Sequence, residues 1–333
     1  MHRRANDGAA REYPSLPKTG NLSVKVSDGH DYSIHQLTAV LDGKQFNVWV
    51  FEPDSPLTDE MTVYAYGFGE NDASVENEAH ELAALGLPVT LHGTSRRQPV
   101  PSPLALLCKP RLRKRFIRHA QNPLIQPSAA ISRTMDSVQK YSGRYKRFAA
   151  KCHSMGGLTG IMLACHDDRI DTVHLDGSAG IVMRNALLNH VKNPVELVKD
   201  EIIPASRYLK EYGPLDGMKR SLDHVKDDPL RLLREMAFLI LRRPDVSRGL
   251  EELRERDVTV IVVSHEFDRF FREHDMEKAT RMLVERGLVT YYHQSKGTKH
   301  THVQVRPKES AALYRDTLRM AASKRQSARV VNH

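Results

Sequence analysis

Alternating apolar and polar positions mark the start of the patterned part of the sequence. Residues 22–26 and 46–51 alternate in this way, and the dipeptide Asp42-Gly43 before the second run is typical of a tight hairpin. We therefore predict an antiparallel edge at the start of a sheet. Beyond it, short apolar runs typical of buried strands alternate with helical periodicity, which predicts a parallel sheet with helices on both faces.

Two sets of elements are predicted after the hairpin. The strands cover residues 62–66, 87–91, 148–150, 172–175, 258–263 and 288–292. The helices cover residues 73–85, 128–141, 158–165, 276–286 and 308–320.

The alternation of strands and helices stops between residues 182 and 250. Helical pieces separated by prolines fill this interval. We interpret residues 182–250 as a helical insertion in a core formed by residues 21–181 and 251–322. Residues 1–20 have no periodicity and predict a disordered arm, while residues 323–333 predict a basic tail.

Composition predicts an ordinary soluble globular protein. The chain has 333 residues, of which 40% are hydrophobic and 27% are charged. No apolar run approaches the roughly 20 residues of a membrane helix, and residues 1–20 lack the apolar segment of a secretory signal. The three cysteines are unpatterned, so we expect a reducing, cytoplasmic location with no disulfide framework and no metal cluster.

The formal net charge of +9 raises the question of an anionic partner. Positive residues concentrate in the tail and in one internal cluster. That basic cluster consists of Lys109, Arg111, Arg113, Lys114 and Arg115, with Arg118 nearby. No RNA-recognition motif, zinc finger or heptad accompanies it, so a solvated basic face is the simplest interpretation. Binding to nucleic acid or anionic lipid is the alternative.

Residues 145–160 combine a short apolar strand, a sharp turn and an apolar helix. Ser154 stands in the turn, with Cys152 two residues before it and Gly156 two residues after it. A nucleophilic serine on a strained strand-to-helix turn needs small neighbours at these positions, because the backbone passes close to them. The first glycine of the Gly-x-Ser-x-Gly pattern is absent here, and Cys152 is a small replacement. The helix that follows directs its N-terminal N–H groups at the serine, which suits a developing oxyanion.

The segment His-Ser-Met-Gly-Gly at residues 153–157 resembles the nucleophile elbow of the α/β-hydrolase superfamily, in particular its monoacylglycerol-lipase and esterase branches. The resemblance implies an α/β-hydrolase fold, with a mostly parallel central sheet, helices on both faces and a helical cap at residues 182–250. It also implies a two-step acyl transfer that needs neither a metal nor an organic cofactor.

The resemblance assigns the oxyanion hole to two backbone N–H groups. One belongs to Met155, which follows the nucleophile, and the other to Phe68 in the glycine-rich turn after the strand at 62–66. Tyr66 replaces the histidine that usually precedes this turn. A plain strand-ending turn is the competing interpretation of Gly67 and Gly69.

The acid and the base are expected in two later loops. After the strand at 258–263, Asp268 takes the position of the acid, and Glu266 is the fallback carboxylate. After the last strand, His300 lies seven residues before Pro307, as the base commonly does in the family. His302 is the alternative base. The order serine, acid, histidine is the chain order expected of the fold.

The sequence therefore predicts a serine esterase, lipase-like or thioesterase-like, that acts on a small-molecule acyl ester. The alternative is a binding protein on a hydrolase scaffold, in which the basic cluster contacts nucleic acid or anionic lipid. The natural substrate and the oligomeric state are left open.

Overall fold

The computed structural model describes residues 13–14, 16–17, 20–67, 70–93, 108, 110, 124–181, 246–268 and 270–331. Phe68, the basic cluster from Lys109 to Arg118 and residues 182–245 of the predicted cap lie outside this part of the chain. The cap and the role of the basic cluster therefore stay predictions. The cytoplasmic location also stays a prediction.

The described residues form one nine-stranded sheet. Its strands are β1 (Asn21–Val24), β2 (Tyr32–Leu41), β3 (Lys44–Pro53), β4 (Glu60–Ala65), β5 (Val89–His92), β6 (Arg147–His153), β7 (Ile170–Asp176), β8 (Thr259–His265) and β9 (Tyr291–Ser295). Their order across the sheet is β1-β2-β3-β5-β4-β6-β7-β8-β9. Strands β1, β2, β3 and β5 pair antiparallel, and every pair from β5 to β9 is parallel. The predicted mostly parallel sheet is confirmed.

Seven helices accompany the sheet in the described ranges. They are α1 (Asp72–Ala84), α2 (Ile125–Tyr141), α3 (Gly156–His166), α4 (Ser247–Glu255), α5 (Glu273–Glu285), α6 (His302–Val305) and α7 (Pro307–Val331). Helix α4 begins inside the predicted cap range and packs against α3.

The hairpin between β2 and β3 turns at the predicted dipeptide. Asp42 and Gly43 have φ of +54° and +75°, and Leu41 pairs with Lys44. Two consecutive residues with positive φ match the twist of the flanking strands, and an Asp-Gly pair adopts them at low cost.

The sheet separates two hydrophobic layers. In β3, Val48 and Val50 belong to one layer while Trp49 and Phe51 belong to the other, because successive strand residues point to opposite faces. Helices α2, α3, α4 and α5 contribute to the first layer. Helices α1 and α7 cover the second. Helices on both faces leave the carboxyl ends of the parallel strands as the edge where loops gather.

Most predicted boundaries lie within a few residues of those in the structure, and two elements differ more clearly. The last strand was expected at 288–292 but lies at Tyr291–Ser295. Leu288 and Val289 are buried in the loop that precedes it, so their apolar character reflects packing rather than strand structure. Helix α7 was expected to end at residue 320, but it runs on to Val331 through the predicted tail.

Part of the predicted N-terminal arm contacts the core. Tyr13 stacks on His80 of α1, with ring centroids 4.7 Å apart. The backbone N–H of Leu16 donates to Glu76 of the same helix at 3.1 Å. No helix in the described ranges is both long enough and apolar enough to cross a membrane.

Candidate active site

Ser154 occupies the sharp turn between β6 and α3. Its φ is +53°, in the left-handed region that non-glycine residues rarely adopt, so the backbone is strained at this position. Three backbone hydrogen bonds hold it there. The Ser154 N–H donates to Asp176 O at 3.0 Å, and Ser154 O accepts from the N–H groups of Gly157 at 3.1 Å and Ala179 at 2.9 Å. The end of β7, the loop after it and the first turn of α3 thus keep Ser154 in this conformation.

Small residues make this turn sterically possible. A Cβ at Gly156 would lie 1.9 Å from Ala65 O, and a Cβ at Gly67 would lie 3.0 Å from Ser154 Cβ. The end of β4 therefore passes directly against the elbow. A Cβ at Gly160 would lie 2.1 Å from the sulfur of Cys152. The cysteine that replaces the first glycine of the pattern is accommodated by a glycine on the following helix.

Asp268 and His300 come together at the same edge of the sheet. The carboxylate Oδ2 of Asp268 lies 2.9 Å from His300 Nδ1, and both residues are buried. Asp268 Oδ1 accepts the backbone N–H groups of Phe270 at 2.7 Å and Phe271 at 2.9 Å. Both carboxylate oxygens are therefore fixed, and Oδ2 faces the imidazole.

The His300 ring is enclosed on several sides. The Phe270 ring centroid lies 4.6 Å from that of His300, and the His153 ring centroid lies 4.7 Å away. Beneath the ring is Gly177, with φ of +50°, where a Cβ would lie 3.1 Å from His300 Nδ1. A glycine here leaves room for the contact between Asp268 and His300.

The Asp268 carboxylate is ionised at neutral pH. Burial alone would raise its pKa, but the charge and hydrogen bond of His300, the charge of His265 and the N–H of Phe271 together lower the pKa of Asp268 below its ordinary value. An ionised acceptor on Nδ1 fixes the tautomer of His300 and leaves Nε2 as the nitrogen that can exchange a proton with another group.

His153, directly before Ser154, is paired with Glu70. Its Nδ1 lies 2.6 Å from Glu70 Oε1, and its Nε2 lies 2.9 Å from the backbone carbonyl of His300. Burial alone would lower the pKa of His153, but the charge and hydrogen bond of Glu70 raise it to about 9. The ring is therefore an imidazolium at neutral pH.

No protein-family model and no curated relative matches the chain. Solved structures do match. The chain is similar to a membrane phospholipase A described as a bacterial virulence factor, with a TM-score of 0.59, 14% identity and 87% of each chain covered. It is also similar to the enol-lactonase from Burkholderia xenovorans LB400, with a TM-score of 0.54, 16% identity, and 85% of this chain and 99% of that chain covered.

A third match is a thermophilic esterase from Thermogutta terrifontis, with a TM-score of 0.52 and 14% identity, covering 86% of this chain and 98% of that chain. The chain has the α/β-hydrolase fold. The fold expected from the elbow segment is thereby confirmed. In an α/β-hydrolase fold, loops at the carboxyl ends of the parallel strands carry the site, which is where Ser154, Asp268 and His300 lie.

The two alternative residues, His302 and Glu266, have other partners in the structure. His302 lies in α6, where its Nε2 is 3.1 Å from Ser310 Oγ and 3.5 Å from Asp176 Oδ2. Burial holds the pKa of His302 well below its ordinary value, so the ring is neutral. Glu266 is partly exposed, and its carboxylate accepts the backbone N–H of Gly297 at 2.7 Å.

A buried group resembles a metal site in composition. The ligand atoms of Asp176, His265 and His302 all lie within 4.8 Å of one another. However, His265 Nε2 lies 2.7 Å from Asp176 Oδ1, a hydrogen-bond distance, and the ammonium of Lys151 is 3.5 Å from Asp176 Oδ2. An ammonium beside the carboxylate would repel a cation, so these donors fit an ion network better than a metal centre.

Two departures from the family pattern have structural roles. The Tyr66 hydroxyl donates to the carbonyl of His92 at 3.0 Å and accepts the N–H of His92 at 3.0 Å, which joins β4 to the end of β5. His265 bridges Asp176 and Thr298, with Nδ1 2.9 Å from Thr298 Oγ1. Both residues therefore join neighbouring elements close to the site.

Sequence reasoning missed Glu70 and Lys151. Glu70 directly follows the glycine-rich turn, and Lys151 is a charged residue inside an apolar strand. An isolated charge in a buried strand is a signal that a partner is needed. The partners, however, lie far away in the sequence and could not be identified from it.

Proposed function

We propose that the protein is a serine hydrolase that cleaves a carboxylic ester or thioester by way of an acyl-enzyme. The observation that carries this proposal is the combination of Ser154 at a strained, left-handed elbow with a buried Asp268–His300 pair at the same sheet edge. Such strain persists only where the surrounding structure holds it, and it is concentrated at functional sites.

In the proposed first step, His300 removes a proton from Ser154. Because Nδ1 of His300 faces Asp268, Nε2 accepts the hydroxyl proton while the serine oxygen attacks the carbonyl carbon. The tetrahedral adduct collapses when the bond to the leaving alcohol or thiol breaks, and His300 returns the proton to that leaving group. Water then attacks the acyl-serine with the same base, which releases the acid and restores Ser154.

The oxyanion would be stabilised by backbone donors. The N–H of Met155 lies at the start of α3, where helix N–H groups have no partner within the helix. We assign one donor to Met155 and the second to Phe68. Each donor contributes about 3 kcal/mol of transition-state stabilisation in comparable oxyanion holes.

The similar structures support this class of reaction. The phospholipase A, the enol-lactonase and the esterase are named for ester or lactone substrates. A fold hosts many chemistries, so the proposal depends on the residues at the site rather than on these names. The proposed substrate is a modest-sized acyl ester.

The proposal is tested by labelling with a fluorophosphonate probe and mapping the modified peptide. We expect a covalent adduct on Ser154 in the unmodified protein and none in Ser154→Ala or His300→Ala. Ser154→Ala should also abolish hydrolysis of short p-nitrophenyl esters while the protein stays folded.

The matched control is Ser264→Ala. Ser264 is buried at the end of β8, and its hydroxyl lies 2.8 Å from the hydroxyl of Tyr292 on β9. Labelling should be retained in this variant. An unlabelled, folded wild-type protein, or turnover that survives in Ser154→Ala, would overturn the proposed function.

A further inference from the structure

His153 is clamped between two oxygen atoms that can only accept hydrogen bonds. One is the carboxylate of Glu70 and the other is the backbone carbonyl of His300. A neutral imidazole carries one N–H and can satisfy only one of them, whereas an imidazolium carries two and satisfies both. Burial alone would raise the pKa of Glu70, but the charge and hydrogen bond of His153 lower it below its ordinary value, so Glu70 is ionised and cannot donate. With Glu70 ionised, the two contacts fit the charged form of His153.

Glu70 extends this contact to the turn after β4. Its Oε2 accepts the N–H of Gly67 at 2.5 Å, and the amide of Gln304 in α6 donates to Oε1. Gly67 in turn abuts Ser154. One buried ion pair therefore joins the end of β4, the elbow, the loop that carries His300 and helix α6.

The charges around His153 come from several elements. Glu70 lies after β4, Asp176 at the end of β7 and Lys151 on β6; the first two stabilise the imidazolium, and Lys151 opposes it. His300 and His302 are the neighbouring rings, with centroids 4.7 and 6.4 Å away. Burial of the ring also opposes the charge, and the direct contact with Glu70 outweighs both burial and the ammonium of Lys151.

We propose that His153 is a positioning residue, whose imidazolium, held by Glu70, fixes the backbone of His300 and so keeps the imidazole of His300 in place for Ser154. This inference depends on the proposed serine hydrolase function. When His153 loses a proton, the remaining N–H stays with the Glu70 carboxylate, which is a stronger acceptor than a carbonyl. The bond to the His300 carbonyl then breaks, and the His300 loop loses its anchor. Activity should then fall on the alkaline side.

The test measures the rate constant of fluorophosphonate labelling of Ser154 between pH 6 and pH 10. In the wild-type protein, the rate should decline with a midpoint near pH 9. In Glu70→Gln, the midpoint should move down by about 1 to 3 pH units, because an opposite charge in contact shifts a pKa by that amount. A role in folding alone would lower the rate at every pH without moving the midpoint.

His174→Gln is the matched control. His174 is also a buried histidine, but its Nε2 contacts Thr317 of α7 at 3.0 Å rather than the site. Its alkaline midpoint should equal that of the wild-type protein. If Glu70→Gln does not fold, His153→Gln provides the second variant, because a glutamine can still donate to the His300 carbonyl but cannot titrate. Its labelling rate should show no decline near pH 9.

The outcomes separate the two proposals. Labelling of Ser154 with an unmoved midpoint in Glu70→Gln overturns the role of His153 and leaves the serine hydrolase standing. An unlabelled wild-type protein overturns both. NMR titration of the His153 side chain gives a readout without Ser154: a midpoint above about pH 8 supports the clamp, and one near the ordinary histidine value of about 6.5 overturns it.

Discussion

Single residues at the elbow show how steric space is shared between neighbours. The family pattern has a glycine two residues before the serine, and this chain has Cys152 there, fully buried. The space that this side chain occupies is provided by Gly160, one helical turn beyond the elbow, where a Cβ would lie 2.1 Å from the sulfur but 3.4 Å from Cys152 Cβ. The two positions are therefore coupled.

We predict that Gly160→Ala lowers the free energy of unfolding by about 1 to 3 kcal/mol, the usual cost of overpacking a core. In the double variant Cys152→Ala/Gly160→Ala, the sulfur is gone and the remaining Cβ contact is ordinary. The substitution at Gly160 should then be neutral or stabilising, because alanine favours a helix over glycine.

A double-mutant cycle by urea unfolding measures this coupling. If Gly160→Ala costs the same with and without the cysteine sulfur, the shared space does not explain the pair.

The charge of the Asp268 carboxylate should determine how fast Ser154 reacts, because Asp268 contacts His300. Asp268→Asn keeps the shape of the side chain but removes the charge that holds Nδ1 of His300 protonated. We expect fluorophosphonate labelling of Ser154 to slow by about 10⁴-fold, as the loss of the corresponding charge does in a catalytic triad.

Glu266→Gln is the control for Asp268→Asn, because Glu266 is an acidic residue of the same loop that bonds to Gly297 rather than to a histidine. Labelling that slows equally in both variants would show that His300 does not depend on Asp268.

At the scale of elements, β6 is joined to its neighbours by charge as well as by the sheet ladder. Lys151 is fully buried, and its ammonium lies 3.0 Å from Glu78 of α1 and 3.5 Å from Asp176 of β7. Burial alone would lower the pKa of Lys151, but Glu78 and Asp176 raise it above its ordinary value. The rings of Tyr64 and Tyr314 lie within 5.5 Å of the ammonium.

We predict that Lys151→Met destabilises the protein by about 3 to 5 kcal/mol, because it leaves two buried carboxylates without their cation. Lys140→Met, at an exposed position of α2, should change stability by no more than about 0.5 kcal/mol. Chemical unfolding of both variants at pH 7 provides the comparison. Equal effects would show that the buried pairs contribute nothing beyond a surface lysine.

The elements themselves could largely be predicted from the sequence, since periodicity reports which side chains face the core. The apolar pair Leu288 and Val289 misled the placement of β9, because buried loop residues and buried strand residues have the same composition. The elbow was predictable because strand, turn and helix are adjacent in sequence.

The rest of the site was less accessible to sequence reasoning. His300 and His302 are two residues apart, and only their partners, Asp268 and Asp176, distinguish them. The pairing of Glu70 with His153 joins positions 83 residues apart, so no local pattern indicates it. Long-range electrostatic partners depend on the finished topology.

At the scale of the whole molecule, buried histidines determine how stability responds to acid. Burial lowers the pKa of His80 and His174 to about 3 each, and it holds the pKa of His302 well below its ordinary value. These rings are neutral in the folded state but take up protons near pH 6.5 when unfolded. Their contribution to stability is complete above pH 6.5 and declines as the pH falls toward their folded pKa values.

His153 changes stability with pH in the opposite direction. Its folded pKa of about 9 lies above the unfolded value, so its contribution is complete below pH 6.5 and is lost as the pH rises through 9. The three neutral histidines and the charged His153 together predict that stability is greatest close to neutral pH. On the acid side, each of the three neutral histidines removes up to about 1.4 kcal/mol of unfolding free energy per pH unit.

Urea unfolding between pH 4 and pH 8 tests this prediction. The decline should begin near pH 6.5, and His174→Gln should be less stable at pH 8 but should lose less stability on acidification than the wild-type protein. A variant that loses as much as the wild-type protein would show that His174 does not contribute to the acid limb.

The position of residues 298–302 late in the sequence affects how the protein folds during synthesis on the ribosome. Its alternate residues Thr298, His300 and His302 reach His265, Asp268 and Asp176 respectively. A nascent chain that stops short of this segment already contains every one of those partners, but it lacks the contacts that Thr298, His300 and His302 make with them. Synthesis therefore passes through a stage at which all nine strands have been made but the contacts of residues 298–302 at the sheet edge cannot yet form. The contact between Asp268 and His300 can form only after this segment has left the exit tunnel.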